Sequence, residues 1–321
     1  MDTKINIAVV HGGSSSESAI STKNAGYIAK ALEENGHKVS LLDFDEKIYK
    51  NLQKIKPGLV FVAVQGKYHG DGTLQSICEH LKLPYTGSKV TAAAIINDKC
   101  LCKKLCSYHG IRTPEFMYIS RKAFFGTPKE ELLDKIEKVI PYPFVAKAVT
   151  QGGSYGIEYI RSREDYKKIG QTFDFDDEII IERFIKGSFV TISILEMEKM
   201  PTVLPVLIGQ NSTGHQEEVI LFNKKFTASE AELSNELKEE LVKTSIDIFN
   251  IFNAKNYARI DYMIEEETKL PYFLEINAVP GLKPESFYPQ AAEKYGIAFN
   301  DLIETIVENE LWRNRACEIL K

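Results

Sequence analysis

Along the first part of the chain, short apolar runs typical of strands alternate with segments whose apolar residues have helical spacing. Short apolar runs at INIAVV, KVSLLDF and LVFVAV predict strands. The segments between them have helical spacing, and the first of these helices is predicted from about Ser18 to Asn35. A further helix is predicted over TLQSICEHL. Strands that alternate with helices at this pitch indicate a parallel sheet covered on both faces.

The pattern changes near Pro114, where mixed α and β signals begin. Strands are predicted at PFVAKAV and EIIIERFI, and a long helix is predicted to end near Phe252. A polar stretch from about Gly209 to Thr227 is long for a loop inside a compact domain. Such a stretch is typical of a mobile lid, and a simple surface insertion is the alternative.

The segment YARIDYMIEEETKLPYFLEIN predicts two alternating strands joined by a charged turn. On the first strand, Arg259 and Asp261 face the same way. On the second, Glu275 and Asn277 share a face. The opposite face of that second strand is predicted to carry Tyr272, Leu274 and Ile276. If the apolar faces meet the core, the four polar side chains converge on the other side of the sheet.

Two carboxylates and a carboxamide beside an arginine suit a hard divalent cation. Mg²⁺ prefers oxygen ligands and takes only a few of them from protein, which leaves positions for substrate phosphates. The alternative is a solvated sheet face with a salt bridge, because exposed polar positions are what half-buried strands show in any case.

Lys147 strengthens the interpretation as a phosphate site. It lies within the apolar strand FVAKAV, where an unpaired ammonium would be costly, and the glycine-rich segment TQGGSYG follows directly. Glycines let backbone N–H groups approach phosphate oxygens closely while a lysine supplies charge. A bound phosphate would therefore satisfy both features.

Composition excludes other classes of function. The net charge of −5 and the pI near 5.8 argue against a nucleic-acid partner. No apolar run approaches the length of roughly 18 residues that suggests a membrane span, and the start of the chain lacks the features of a signal peptide, so we expect a cytoplasmic protein without a membrane partner. The cysteines lack the spacing of a metal site.

The order of motifs resembles that of the D-alanine–D-alanine ligases, a family of the ATP-grasp superfamily. The similarity runs from HGGSSSE through DGTLQ, PYTGS, NDKCLCKKL, GIRTPEF, IIERFIKG and ARIDY to EINAVPGLKPESFYP and GIAFNDLI, and covers nearly the whole chain. It implies an α/β fold of three parts with ATP between the second and third. These are an N-terminal Rossmann-like domain at 1–95, a central α+β ATP-grasp subdomain at 96–186, and a C-terminal α+β domain at 187–321 with a mobile lid at about 209–228.

The resemblance also implies roles for individual residues. ATP would be bound by Lys99, Lys147, Gly152, Gly153, Ser154, Glu182, Ile185 and, from the mobile loop, Lys225. Lys99 and Lys147 would contact phosphates, and Glu182 with its neighbours would meet the adenine. Two Mg²⁺ ions, with Mn²⁺ as the alternative, would be held by Asp261, Glu275 and Asn277.

Four residues would take part in the reaction itself. The resemblance implies that Arg259 and the backbone of Gly281 stabilise a tetrahedral oxyanion, that Ser286 binds the carboxylate of the acceptor, and that Glu17 orients the amino group of the first substrate. The implied reaction joins two D-alanine molecules through an acyl phosphate for peptidoglycan synthesis. The implied partners are small amino-acid substrates and a second copy of the chain in a homodimer.

Several substrate-facing positions depart from the family pattern. The family commonly has histidine, glutamate, serine, an acidic residue and tyrosine where this chain has Gln65, Gly70, Gly153, Phe189 and Phe226. Phenylalanine at the lid position occurs in ester-forming relatives, so D-alanyl-D-lactate or another amino-acid pair remains an alternative product. An ATP-binding sensor without turnover is a further alternative. A nicotinamide-dependent oxidoreductase is disfavoured because HGGSSSE lacks the GxGxxG pattern.

Overall fold

The computed structural model describes residues 4–67, 70–211 and 226–319. Within these ranges the chain forms three β-sheets of three, four and six strands, with helices packed against them. No helix in the described ranges is both long enough and apolar enough to cross a membrane.

The first sheet is parallel, with the strand order β2-β1-β3. Its unit consists of β1 (Asn6–His11), α1 (Ser18–Glu34), β2 (Lys38–Asp43), α2 (Ile48–Ile55), β3 (Leu59–Val62) and α3 (Thr73–Leu81). Ile7 and Val9 of β1 pack against α1, and the alternating Ala8 and Val10 belong to a separate cluster that includes Leu52 of α2. Both faces of the sheet are covered, so the predicted α/β unit is confirmed.

Two helices lead from this unit into the second sheet. They are α4 (Val90–Asn97) and α5 (Lys99–Tyr108). The carboxylate of Asp98 accepts a hydrogen bond from the backbone N–H of Leu101 at 2.8 Å. This bond satisfies one of the backbone donors that a helix leaves unpaired at its start, and it fixes the point at which α5 begins.

The second sheet is antiparallel, with the order β4-β7-β5-β6. Its elements are β4 (Phe116–Ser120), α6 (Arg121–Gly126), α7 (Lys129–Glu137), β5 (Phe144–Ala148), β6 (Ile157–Ile160), α8 (Tyr166–Thr172) and β7 (Glu178–Arg183). One face packs on the helices through a core that includes Leu133, Phe144, Phe173 and Ile181. The other face is covered in part by α5, where Cys100 packs against Ile180, and its remaining part, with Val145 and Lys147, forms a wall of a cleft.

The third sheet follows the order β11-β10-β8-β12-β13, with β9 paired beside β8. Its region contains β8 (Gly187–Met197), β9 (Met200–Val203), β10 (Leu207–Asn211), β11 (Phe226–Glu230), α9 (Asn235–Ile251), β12 (Tyr257–Glu265), β13 (Pro271–Asn277), α10 (Phe287–Tyr295) and α11 (Phe299–Ile319). Gly209 pairs with Ala228. The two ends of the stretch expected to be a loop are therefore strands, and the rest of it lies outside the described residues.

The pairing of β12 with β13 corrects the predicted alternation. Asp261 pairs with Glu275, but the next residue, Tyr262, pairs with Phe273, so the register shifts by one and leaves Leu274 as a β-bulge. Phe273 is fully buried in the core with Ile276. Leu274, which was expected to face away from Glu275, instead lines the same pocket. A bulge reverses which face of the sheet the neighbouring side chains point to, and simple alternation cannot predict it.

Candidate active site

A cleft lies between the second and third sheets and contains a mainly apolar slot. Its walls carry Val145, Ile157, Phe184, Ile185, Phe189, Met263 and Leu274. Charged side chains join this lining, and they are Lys99, Lys147, Glu182, Arg183, Asp261 and Glu275. An apolar cavity with a few converging polar groups is the usual form of a small-molecule site. The structure therefore brings together most of the residues predicted to bind nucleotide and metal, Ser154 included.

Glu182 is a buried carboxylate held between two lysines. Lys147, on the adjacent strand β5, contacts its Oε1 atom, and Lys103 of α5 lies 2.5 Å from its Oε2 atom. Burial opposes ionisation of Glu182, but the two ammonium groups outweigh that effect and lower its pKa. Lys103 was not predicted as a site residue. The sequence signal for it is its spacing of one helical turn from Lys99.

Asp261 lies at the centre of a buried hydrogen-bonded group. Arg259 donates to it twice, from Nε to Oδ1 at 2.9 Å and from Nη2 to Oδ2 at 2.6 Å. Thr191 of β8 donates to Oδ1 at 2.6 Å, and Asn277 donates to Oδ2 at 3.2 Å. Strand pairing explains this arrangement, because Arg259 lies opposite Asn277 and Asp261 lies opposite Glu275. The predicted convergence of the four polar side chains of Arg259, Asp261, Glu275 and Asn277 is confirmed.

Lys99 connects this polar group to the glycine-rich loop. Its Nζ lies 3.4 Å from Glu275 Oε2 and donates to the backbone oxygen of Gln151 at 2.5 Å. Burial raises the pKa of Glu275, but nearby cations, with Lys99 first among them, outweigh burial and lower it. Glu275 is therefore a carboxylate in this site.

Glu17 lies directly against the glycine-rich loop. The backbone N–H of Gly152 donates to its carboxylate, and a Cβ atom added to Gly152 would lie 2.5 Å from Glu17 Oε2. Burial raises the pKa of Glu17 to about 6, although the nearby cations Lys99 and Arg259 oppose the shift. Gly153 adopts a φ of +59°, a conformation that glycine tolerates at little cost.

A second cavity adjoins the slot and shares Lys99 and Glu275 with it. Its other walls include Glu17, Gln65, Gly66, Gly70, Asn97, Gln151, Gly152, Asn277 and Ala278. Gln65 donates from Nε2 to the backbone oxygen of Val279 at 2.8 Å and accepts from Asn24 at 3.4 Å. The two side-chain bonds fix this amide in the wall, so the cavity has a neutral group where the family pattern has an ionisable histidine.

Gly281 and Ser286 lie beside one another at the start of α10. A Cβ atom on Gly281 would lie 3.1 Å from Ser286 Oγ. Ser286 occupies the N-cap position, and its hydroxyl makes no capping bond to the helix. Neither residue is in the walls of the two cavities described above. Lys225 lies outside the described residues.

Asp176 is a further residue that sequence reasoning missed. Its Oδ2 accepts hydrogen bonds from the backbone N–H of Thr150 at 2.9 Å and from the Thr150 hydroxyl at 2.6 Å. Its Oδ1 atom lies 2.7 Å from Lys67 Nζ in the first unit. Asp176 thereby holds the start of the glycine-rich loop and ties that loop to the first sheet. No sequence pattern marks this role, because both partners are distant along the chain.

Comparison with known proteins identifies the family. A family model described as "D-ala D-ala ligase C-terminus" matches residues 105–308. The D-alanine–D-alanine ligase of Pelotomaculum thermopropionicum is 31% identical over 311 residues, covering 95% of this chain and 96% of the relative. This chain belongs to the D-alanine–D-alanine ligase family. The ligase of Aquifex aeolicus is 33% identical over 307 residues, covering 94% of this chain and 99% of the relative.

Solved structures of the family confirm the α/β ATP-grasp fold. The D-alanine–D-alanine ligase from Bacillus anthracis complexed with ATP superposes with a TM-score of 0.81 at 27% identity, covering 97% of this chain and 99% of that chain. The ligase from Coxiella burnetii superposes with a TM-score of 0.82 at 22% identity, covering 99% of this chain and 97% of that chain. These two solved structures thus share the fold of nearly the whole chain.

Proposed function

We propose that this chain is an ATP-dependent ligase that joins two D-alanine molecules into D-alanyl-D-alanine for peptidoglycan synthesis. The observation that carries the proposal is the junction of two cavities at Lys99 and Glu275, whose charged groups lie 3.4 Å apart. One cavity suits a nucleotide and the other a small amino acid. Relatives named D-alanine–D-alanine ligase, one of them with a structure complexed with ATP, support this assignment.

We place the nucleotide in the slot in one orientation. Its base enters the apolar part beside Ile185 and Glu182, while the phosphates extend toward Lys147 and Lys99, where the positive charge lies. Backbone N–H groups of the glycine-rich loop, from Gly152, Gly153 and Ser154, complete the phosphate site. We assign Lys225, which lies outside the described residues, to the same phosphates on the ground of the family pattern.

The side chains of Asp261, Glu275 and Asn277 carry oxygen atoms, which are the ligands that Mg²⁺ prefers. Two carboxylates and a carboxamide supply hard oxygen ligands, and Mg²⁺ takes its remaining ligands from phosphate and water. Within the described ranges there is no group of three or more His, Cys, Asp or Glu side chains that could hold a metal ion. Asn277 donates from Nδ2 to Asp261, and its Oδ1 atom is the candidate ligand. Two Mg²⁺ ions, or Mn²⁺ in their place, would neutralise charge on the transferred phosphate.

The first step activates a carboxylate. One carboxylate oxygen of the first D-alanine attacks the γ-phosphorus, the bond from that phosphorus to the bridging oxygen breaks, and ADP leaves with an acyl phosphate remaining. Glu17 holds the ammonium group of this substrate in the second cavity, beside Lys99. Lys99 and Lys147 stabilise the negative charge on the transferred group.

The second step forms the amide bond. The free amine of the second D-alanine attacks the acyl carbon, a proton passes from its nitrogen to the departing phosphate, and inorganic phosphate leaves when the tetrahedral intermediate collapses. Arg259 and the backbone N–H of Gly281 donate to the oxyanion of that intermediate. Ser286 binds the carboxylate of the second substrate at the N-terminus of α10, where backbone N–H groups favour an anion.

The proposed organisation follows from the same assignment. We propose domains at 1–95, 96–186 and 187–321, one for each sheet. We also propose that the segment at about 209–228, most of which lies outside the described residues, is the lid that excludes water from the acyl phosphate. We assign the enzyme to the cytoplasm as a homodimer because of its family membership.

A phosphate-release screen tests the proposal. The protein is assayed with ATP and Mg²⁺ against D- and L-amino acids and hydroxy acids, singly and in pairs. We expect release with D-alanine and not with L-alanine, and a steep loss in Lys147→Ala and Glu275→Gln. Glu293→Gln, an exposed position on α10, is the matched control for the second variant. Release that requires D-lactate as the acceptor would favour the ester product, and tight ATP binding with no release for any acid would favour a sensor.

A further inference from the structure

Lys103 is a fully buried lysine to which the proposed reaction gives no role. It lies on α5, and none of its side chain is exposed. Its Nζ atom is 2.5 Å from Glu182 Oε2 and donates to Thr113 Oγ1 at 2.9 Å. A buried ammonium is costly unless fixed partners compensate for lost water. Lys103 is therefore held behind Glu182, and it does not reach the wall of the nucleotide slot.

Lys147 is the other cation beside Glu182, and its side chain, unlike that of Lys103, is partly exposed and has room to move. Its side chain is 14% exposed and lines the slot, where a triphosphate would offer more negative charge than one carboxylate does. Lys103 cannot follow, because its ammonium is enclosed. When Lys147 turns to the nucleotide, Glu182 keeps Lys103 as its counter-ion. Among the described residues, these two lysines, one from α5 and one from β5, are the cations that lower the pKa of Glu182 most.

The counter-ion decides what Glu182 offers to a ligand. A buried carboxylate with no cation tends to take up a proton, and it can then donate a hydrogen bond. An ionised carboxylate only accepts. The cations beside Glu182 outweigh its burial and lower its pKa, which keeps it ionised. An acceptor in this position suits a base edge that carries an amino group, and it repels a base that carries a carbonyl oxygen there.

We infer that Lys103 is a positioning residue that makes the slot select a 6-aminopurine nucleotide over a 6-oxopurine nucleotide, acting through the carboxylate of Glu182. This inference rests on the proposed use of ATP. It assigns Lys103 to base recognition and not to phosphate contact or chemistry. Loss of the lysine should therefore alter the choice of base, whereas a merely structural lysine would alter stability and leave the choice unchanged.

Direct binding of ATP and GTP, measured by calorimetry without amino acid, tests the inference. We expect the unmodified protein to bind ATP at least about 100-fold more tightly than GTP, because a polar site rejects a ligand that leaves its buried groups unpaired. In Lys103→Met the ratio should fall below about tenfold. Lys103→Arg retains the charge and should restore a preference well above that of Lys103→Met. Lys104→Met, an exposed neighbour on α5, should keep the original ratio.

A pH series and a second variant sharpen the test. In Lys103→Met the preference for ATP should rise with pH as Glu182 ionises, while the unmodified protein should show a flat ratio. Glu182→Gln should also lose the preference, because an amide both donates and accepts, and adding Lys103→Met to it should change the ratio no further. If Lys103→Met does not fold, Lys103→Gln, which also removes the charge, takes its place in the same measurement.

The inference is overturned if the unmodified protein binds both nucleotides equally, if Lys103→Met (or Lys103→Gln in its place) keeps the original ratio, or if Glu182→Gln keeps it. Because the assay contains no amino acid, it is independent of ligase turnover. Absence of D-alanine-dependent phosphate release would contradict the proposed function and leave this result standing.

Discussion

The contact between Gly152 and Glu17 can be tested by adding one methyl group. In Gly152→Ala the new Cβ would lie 2.5 Å from Glu17 Oε2, 2.7 Å from Oε1 and 2.8 Å from the carboxyl carbon. Carbon–oxygen contacts of this kind settle at about 3.3 Å or more, so the carboxylate or the loop must move by about 0.8 Å. Glu17 is nine-tenths buried, and it has little room to retreat without losing the N–H of Gly152.

The expected effect is on catalysis more than on folding. A displacement of about 1 Å in a group that positions substrate can cost about 100-fold in rate, which corresponds to about 2.7 kcal/mol of transition-state stabilisation. We therefore expect kcat/KM for D-alanine to fall by about 100-fold in Gly152→Ala, with thermal stability changed by less than about 1 kcal/mol. Initial rates of phosphate release at saturating ATP measure the first quantity, and calorimetric unfolding measures the second.

Two further variants isolate the cause. Gly26→Ala is the control, because a Cβ at Gly26 on α1 meets nothing within 4 Å, and this variant should keep full activity. In a Glu17→Ala background the clash has no partner, so Gly152→Ala should cost little more. Activity of Gly152→Ala within threefold of the original, or effects of the two substitutions that simply add, would refute this reasoning.

Three other outcomes are expected. Burial raises the pKa of Glu17 to about 6, and its proposed role needs the charged form. The kcat/KM for the first substrate should therefore be constant above that pH and fall below it. Glu17→Gln should have a lower kcat/KM that does not fall further at low pH. Glu275→Gln should raise the Mg²⁺ concentration for half-maximal phosphate release by at least about tenfold, measured by titration at fixed ATP, because it removes a charged ligand. Tyr288→Phe should lower the free energy of unfolding by about 1–2 kcal/mol in denaturant titration, with activity retained, since its buried hydroxyl donates to the Ile194 carbonyl at 2.8 Å. An unchanged pH profile, Mg²⁺ requirement or unfolding energy would contradict the respective expectation.

Local patterns predicted the elements of the fold well. The first helix, expected from about Ser18 to Asn35, is observed at Ser18–Glu34, and the helix over TLQSICEHL is observed at Thr73–Leu81. Alternation also placed Arg259, Asp261 and Asn277 on one face of their strands. Apolar periodicity reports which face meets the core, and that is enough to place polar residues on a paired sheet.

The sequence could not predict features that depend on contacts between distant residues. The bulge at Leu274 follows from the register between two strands and reverses which side chains face the slot. The bond from Gly152 to Glu17 joins a loop to the start of a helix more than a hundred positions earlier. Lys103 lies one helical turn from Lys99, but that spacing does not show that Glu182 lies beside it.

The most direct test of the central claim follows oxygen from the amino acid to phosphate. D-alanine labelled with oxygen-18 in its carboxylate is supplied with ATP and Mg²⁺, and the released phosphate is analysed by mass spectrometry. Activation through an acyl phosphate predicts that each phosphate carries one labelled oxygen and that one dipeptide forms for each ADP. Unlabelled phosphate would mean that water attacks the nucleotide, and it would contradict the account.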